Sequence, residues 1–232
     1  MILVRPHPQG LVLSVVTIGA AAGAFTILAD SVSEGDGLAG RDPSITADVV
    51  DHRTSVLTHV AHVLSFIGSE AVLAVLALGL VIILLERRGP RHAIIAATTM
   101  AVSAGLTVAV KLAFGRARPG ASDRLGPFDS TYSFPSGHTL NSAVFLGLVC
   151  LLLVPLLRRP SLRLVAYGAA AMLAVGIGAS RIYLGYHWTT DVAASWTIAA
   201  VLLAVVSVTA RAVADRSHQS GNVQVDRATV DS

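Results

Sequence analysis

The stretch SRIYLGYHWTTD, residues 180–191, sets an arginine, a histidine and an aspartate between two apolar runs. His187 and Asp191 are four residues apart, so they share a helical face if a helix starts near His187. The carboxylate can then accept the proton of one imidazole nitrogen, which fixes the tautomer and frees the other nitrogen as a nucleophile. Arg181 can fork onto an oxyanion. A second stretch, FPSGHTLNS (134–142), offers a different chemistry. Pro135 suits a helix start, Gly137 lets a ligand approach the backbone, and free N–H groups at a helix N-terminus bind anions. Ser136 and His138 add side-chain donors. A third, KLAFGRARP (111–119), supplies Lys111, Arg116 and Arg118 before Pro119. Each cluster has an ordinary reading: a buried His–Asp pair, a helix cap, and a lysine reaching for the headgroups. Together they describe a pocket for a tetrahedral oxyanion, with phosphate the natural candidate.

The elements that carry these clusters are apolar. The chain is 53% hydrophobic and 13% charged, with a mean hydropathy of +0.69, whereas soluble domains carry about 25% charged residues. A transmembrane helix needs about 20 apolar residues, and runs near that length lie at 11–29, 67–85, 93–113, 138–157, 164–179 and 189–210. The expectation is an all-α, integral membrane protein: six transmembrane helices in one bundle over 11–210, after a short N-terminus (1–10) and before a polar, disordered tail (211–232). The first run could also be a cleaved signal peptide, although its length favours an uncleaved anchor. Residues 31–51, rich in Gly, Asp and Ser, read as an exposed loop. Residues 52–67 read as an amphipathic helix at the outer interface. Cys150 is the only cysteine, which excludes an internal disulfide and a cysteine metal cluster. His59 and His62 lack a third ligand at suitable spacing, so no metal centre is expected.

Charge sets the orientation. ERRGPRH joins runs two and three, RRPSLR joins runs four and five, Arg5 precedes the first run, and Arg211 and Arg216 follow the last. Short arginine-rich loops stay cytoplasmic. Both termini are therefore expected inside, and all three polar clusters on the extracytoplasmic side of a multi-pass cell-membrane protein. Ionisable groups at a membrane edge are costly and usually functional.

Lys111, six residues and then Arg118-Pro119; Pro135-Ser136-Gly137-His138; and Ser180-Arg181, five residues, His187, three residues, Asp191 resemble, in order, the three signatures of the type 2 phosphatidic acid phosphatase superfamily. The likeness spans roughly residues 60–210 and fits the membrane branch. It implies metal-independent hydrolysis through a phosphohistidine, with no cofactor. His187 would attack phosphorus, Asp191 would orient it, and His138 would protonate the leaving oxygen. Lys111, Arg118, Ser136, Gly137 and Arg181 would hold the phosphoryl oxygens. The substrate would be a membrane lipid phosphate or diphosphate: phosphatidic acid, phosphatidylglycerol phosphate or a polyprenyl diphosphate. The expected surroundings are the lipid bilayer, with neither nucleic acid nor an obligate protein partner. A lipid phosphotransferase of the same fold and a non-catalytic lipid-phosphate binder or transporter are the alternatives. A haloperoxidase bearing the same signatures is disfavoured by six spans.

Overall fold

The structure is a computed structural model that describes residues 8–230, with side chains from Gly10 to Ala210. The expectations for Arg5, Arg211 and Arg216, and for the side chains of the 211–232 tail, lie outside these. Helices follow the apolar runs: α1 (Pro8–Glu34), α2 (Asp42–Asp51), α3 (Ser55–Ile67), α4 (Glu70–Arg87), α5 (Pro90–Phe114), α6 (Gly137–Leu152), α7 (Pro160–Tyr183) and α8 (Thr189–Val230). Short 3-10 turns occupy Ala39–Arg41, Ala121–Asp123 and Val154–Leu156. Five helices are long and apolar enough to span a bilayer, and α3 with α4, bent by 49°, can supply a sixth. The all-helical membrane bundle expected from the sequence is therefore present. Its second span reaches its length only by way of the bend. The α8 backbone also stays helical as far as Val230, within the segment where polar composition suggested disorder.

The helix breaks follow local chemistry. Pro90 and Pro160 occupy first-turn positions, where the missing N–H costs nothing. Gly115 ends α5 in the left-handed region at φ 57°, a conformation that side chains with a Cβ disfavour.

Helix α6 is the hub. Leu140, Val144, Leu148 and Leu152 recur every four residues, and all are buried against Leu80 and Leu84 of α4, Ala93 and Ala96 of α5, and Ala199 and Val206 of α8. Helix α1 lies along α8. Many large apolar side chains on α1, α4 and α7 face outward, as expected of surfaces whose solvent is lipid. Small residues bring the helices close, as at Gly178, where an added Cβ would lie 2.7 Å from Trp196 of α8.

Residues 31–51 are largely exposed, as their composition suggested, but they are not one loop. Helix α1 continues to Glu34, and α2 begins at Asp42, which is 1% exposed. Gly, Asp and Ser mark a loop, but Asp followed by Pro43 is equally a helix start, and here the aspartate turns inward.

The chain reverses between α7 and α8 at Gly185, with φ 71°. A Cβ there would fall 2.1 Å from the Asp123 carbonyl oxygen. Gly185→Ala is expected to destabilise the protein by roughly 2 kcal/mol or more, read as a lowered unfolding midpoint in detergent. It should also cut activity sharply, because the turn sets His187. A midpoint equal to wild type would contradict this tightness.

Candidate active site

The ends of α5 and α7 and the starts of α6 and α8 meet at one end of the bundle, bringing the three clusters together. Helix α8 starts at Thr189, so His187 lies in the preceding turn rather than on the helical face expected for it. Asp191 lies in the first helical turn and accepts the Trp188 N–H at Oδ2, 2.9 Å away. His187 Nδ1 is 3.4 Å from that same oxygen. His187 is 2% exposed and Asp191 fully buried.

The other ring nitrogen, Nε2, sits 3.2 Å from Arg118 Nη1. A guanidinium only donates, so Nε2 accepts and the ring proton resides on Nδ1, facing Asp191. Burial pushes His187 down to about 4, against the opposing pull of Asp191 and with Arg118 and Arg181 adding to the shift. The ring is therefore neutral near pH 7, with a lone pair on Nε2.

Arg118 is held by its own segment. It donates to the carbonyls of Tyr186 (2.7 Å) and Thr131 (2.8 Å) and pairs with Asp129 at 2.7 Å. Asp129 titrates below its ordinary value. Burial works against that, but hydrogen bonds from Thr131 and the charges of Arg118 and Lys111 prevail. Lys111 Nζ donates to the Tyr132 carbonyl and lies 3.4 Å from Thr131 Oγ1. Residues 129–132 thus cover Lys111 and Arg118.

Arg181, 5% exposed, places Nη1 2.5 Å from Ser65 Oγ and its guanidinium 4.1 Å over the Tyr186 ring. Its Nε is buried with no hydrogen-bond partner among the described residues. Ser136 caps α6. Its hydroxyl oxygen accepts from Thr139 Oγ1 at 2.9 Å and from Thr139 N–H at 3.5 Å, and its N–H donates to Ser195 Oγ at 3.0 Å. Gly137 and His138 follow in the first turn, where N–H groups have no intrahelical acceptor. His138 is half-buried, and Arg181, His187 and Arg118 all act on it electrostatically. The residues of the three signatures therefore come to the same end of the bundle, although the Ser136 hydroxyl is already engaged in its cap.

Behind Asp191 lies a buried layer that no sequence motif marks. Ser133 Oγ donates to Asp191 Oδ2 at 2.5 Å. Arg116 Nη1 meets Asp191 Oδ1 at 2.5 Å while its Nη2 meets Asp42 Oδ2 at 2.8 Å. Asp42 also accepts from the Thr190 N–H at 3.1 Å and from the Thr190 hydroxyl. Arg116 was visible only as one more cation, and nothing local ties Asp42 to residues 74 and 148 positions away.

The family model for the PAP2 superfamily matches residues 92–214. Phosphatidylglycerophosphatase B of Bacillus subtilis (strain 168) is 36% identical over 81 residues, 34% of this chain and 39% of that protein. The chain thus matches about two fifths of that relative's length. The crystal structure of the first transmembrane PAP2-type phosphatidylglycerolphosphate phosphatase from Bacillus subtilis superposes with a TM-score of 0.73 at 24% identity, over 83% of this chain and 95% of that one. Aquifex aeolicus LpxE gives 0.55 at 20% identity, over 72% and 94%. With the family model covering more than half its length, this chain belongs to the PAP2 superfamily.

Proposed function

We propose that this protein is an integral-membrane phosphatase that hydrolyses a lipid phosphate or diphosphate through a phosphohistidine at His187, without a metal ion. One observation carries the reading: His187 Nε2 is presented to Arg118 at 3.2 Å while Nδ1 is turned to Asp191 at 3.4 Å. That is the arrangement of a neutral nucleophile beside a cation able to receive a phosphoryl oxygen.

In the first step Nε2 attacks phosphorus, the bond to the leaving oxygen breaks, and His138 delivers a proton to that oxygen. In the second a water attacks the phosphohistidine, His138 takes its proton, the N–P bond breaks, and phosphate leaves. Phosphoryl transfer depends mainly on positioning and charge stabilisation. Arg118, Lys111 and Arg181 supply the positive charge, joined by the N–H groups of Gly137 and His138 at the start of α6. The unpartnered Nε of Arg181 is ready to donate to a phosphoryl oxygen. Ser136 would add its hydroxyl by turning away from Thr139. Lys111 and Arg118 reach the phosphate when residues 129–132 give way.

The site end of the bundle lies opposite the turns that hold Arg87, Arg88, Arg158 and Arg159. By the positive-inside tendency those turns are cytoplasmic, which puts the termini inside and the site on the extracytoplasmic face. A lipid anchored in that leaflet would bring its headgroup sideways to the pocket. The names of the relatives favour phosphatidylglycerol phosphate among the candidate lipids. Phosphatidic acid and a polyprenyl diphosphate carry the same reacting group.

The test is phosphate release by the purified protein from each of these three lipids in mixed micelles containing EDTA. Release from at least one, unchanged by the chelator, is expected. No release from any, or activity lost to EDTA and restored by one divalent ion, would overturn the proposal.

A further inference from the structure

Behind the histidine–aspartate pair runs a second line of charges. Asp42 comes from α2, fifty positions before the family-matched region begins, and is 1% exposed. Arg116 comes from the segment after α5. Its guanidinium is shared between Asp42 at 2.8 Å and Asp191 at 2.5 Å, and it lies 5.6 Å over the Trp188 ring. Neither residue touches His187. Arg116 takes Oδ1 of Asp191, leaving Oδ2 for His187, Ser133 and the Trp188 N–H.

We propose that Asp42 and Arg116 form a positioning pair that sets both the aim and the effective charge of the Asp191 carboxylate behind the nucleophile. The inference rests on the phosphohistidine reading above. Its physical content is a charge balance. A carboxylate bonded to a guanidinium gives less negative charge to its imidazole. A second carboxylate on that guanidinium returns part of it. Asp42 thus tempers Arg116, and Arg116 tempers Asp191. The Thr190 N–H and hydroxyl, both given to Asp42, lock α2 to the first turn of α8, the turn that holds Asp191. The alternative is that these residues merely hold the fold together.

The two roles differ in the pH profile. The groups acting on His187 are Asp191, Arg118, Arg181 and His138, with Ser133 Oγ at 3.4 Å from Nδ1. Lys111 acts on Asp191 from α5. None of these changes in the variants. Arg116→Gln removes a cation beside Asp191, so the imidazolium form of His187 gains stability. The acid limb of kcat/KM, where neutral His187 is lost, should move up by about half a unit or more. Arg116→Lys keeps the charge and loses the fork, so its limb should stay at the wild-type position while kcat falls. Asp42→Asn keeps an acceptor for Thr190 but leaves the charge of Arg116 to Asp191 alone. It should lower kcat about tenfold with KM within twofold, and its limb should not rise. The double variant removes one charge of each sign, so its limb should return toward wild type, a coupling that independent effects do not give.

The experiment is the pH dependence of phosphate release by the full-length protein and these four variants on one lipid substrate, so that the substrate's own titration cancels. Trapping of labelled phosphate on His187 is measured in parallel, with thermal unfolding as the fold control. An upward limb for Arg116→Gln and none for Arg116→Lys supports the positioning role. Superimposable profiles in variants of lowered rate overturn it and leave a structural role. If Arg116→Gln does not fold, Asp42→Asn decides: unchanged kcat, or a raised KM with kcat retained, overturns the proposal. Wild-type protein that traps no phosphate on His187 overturns the phosphohistidine reading itself, and this inference with it. Wild-type trapping with unshifted variants overturns the inference alone.

Discussion

His187→Ala is expected to lower phosphate release by about 10⁴-fold to 10⁶-fold, the range seen when the nucleophile of a covalent catalyst is removed, and to abolish labelling of the protein by a phosphate-labelled lipid. Nε2 is the one nitrogen of the buried pair not turned toward Asp191, and it faces a cation rather than a carbon surface. Burial, with the Arg118 and Arg181 charges adding to it, holds the ring neutral in the physiological range, which is the form the proposed attack needs. The trapped species in wild type should be acid-labile and stable to alkali, as an N–P bond is. The oxyanion groups survive in the variant, so lipid binding should persist while turnover is lost. A His187→Ala protein with wild-type activity would remove the nucleophile from the scheme. Loss of binding together with turnover would make His187 a binding group rather than the nucleophile.

The residues proposed to react stand out in the sequence because they fall in three short, local patterns, with an i, i+4 pair, a Pro-Ser-Gly turn and an Arg-Pro helix stop, each with its own physical meaning. The spans could be read because lipid demands long apolar runs. Other features depend on contacts across great distances in the chain. Asp42 reaches Thr190 across 148 positions, and no periodicity marks it. Residues 31–51 have a loop's composition, yet Asp42-Pro43 opens a helix. The break between α3 and α4 is marked locally by Gly68-Ser69-Glu70, but nothing in a run count says that the two helices together make one bent span. Ser133 and Asp129 look like ordinary loop residues, and only the fold shows that one bonds Asp191 and the other Arg118.

Arg118→Ala should cost about 10²–10³ in kcat/KM, the scale on which a single preorganised oxyanion donor acts. In the resting site Arg118 is fully engaged: one nitrogen serves Nε2 and the Tyr186 carbonyl, another serves Asp129 and Thr131 Oγ1, and Nε serves the Thr131 carbonyl. A phosphoryl group arriving between Arg118 and His187 would take the donor from Nε2, freeing the lone pair to attack, and would compete with the Asp129 carboxylate for the guanidinium. The same residue would thus hold the nucleophile's tautomer before substrate arrives and stabilise charge on the phosphoryl oxygens afterward. Two readouts separate this from simple loss of structure. Arg118→Lys keeps a charge but cannot make the parallel contacts, so it should recover only part of the rate. In Arg118→Ala the cation that disfavours imidazolium at position 187 is gone, so the acid limb of the pH profile should move upward, opposite to any effect of weakening Asp191. Kinetics across pH 4–8, with thermal unfolding as a control, decide the matter. A variant within threefold of wild type, or one whose acid limb moves down, would mean that the contact at Nε2 is incidental to phosphoryl transfer.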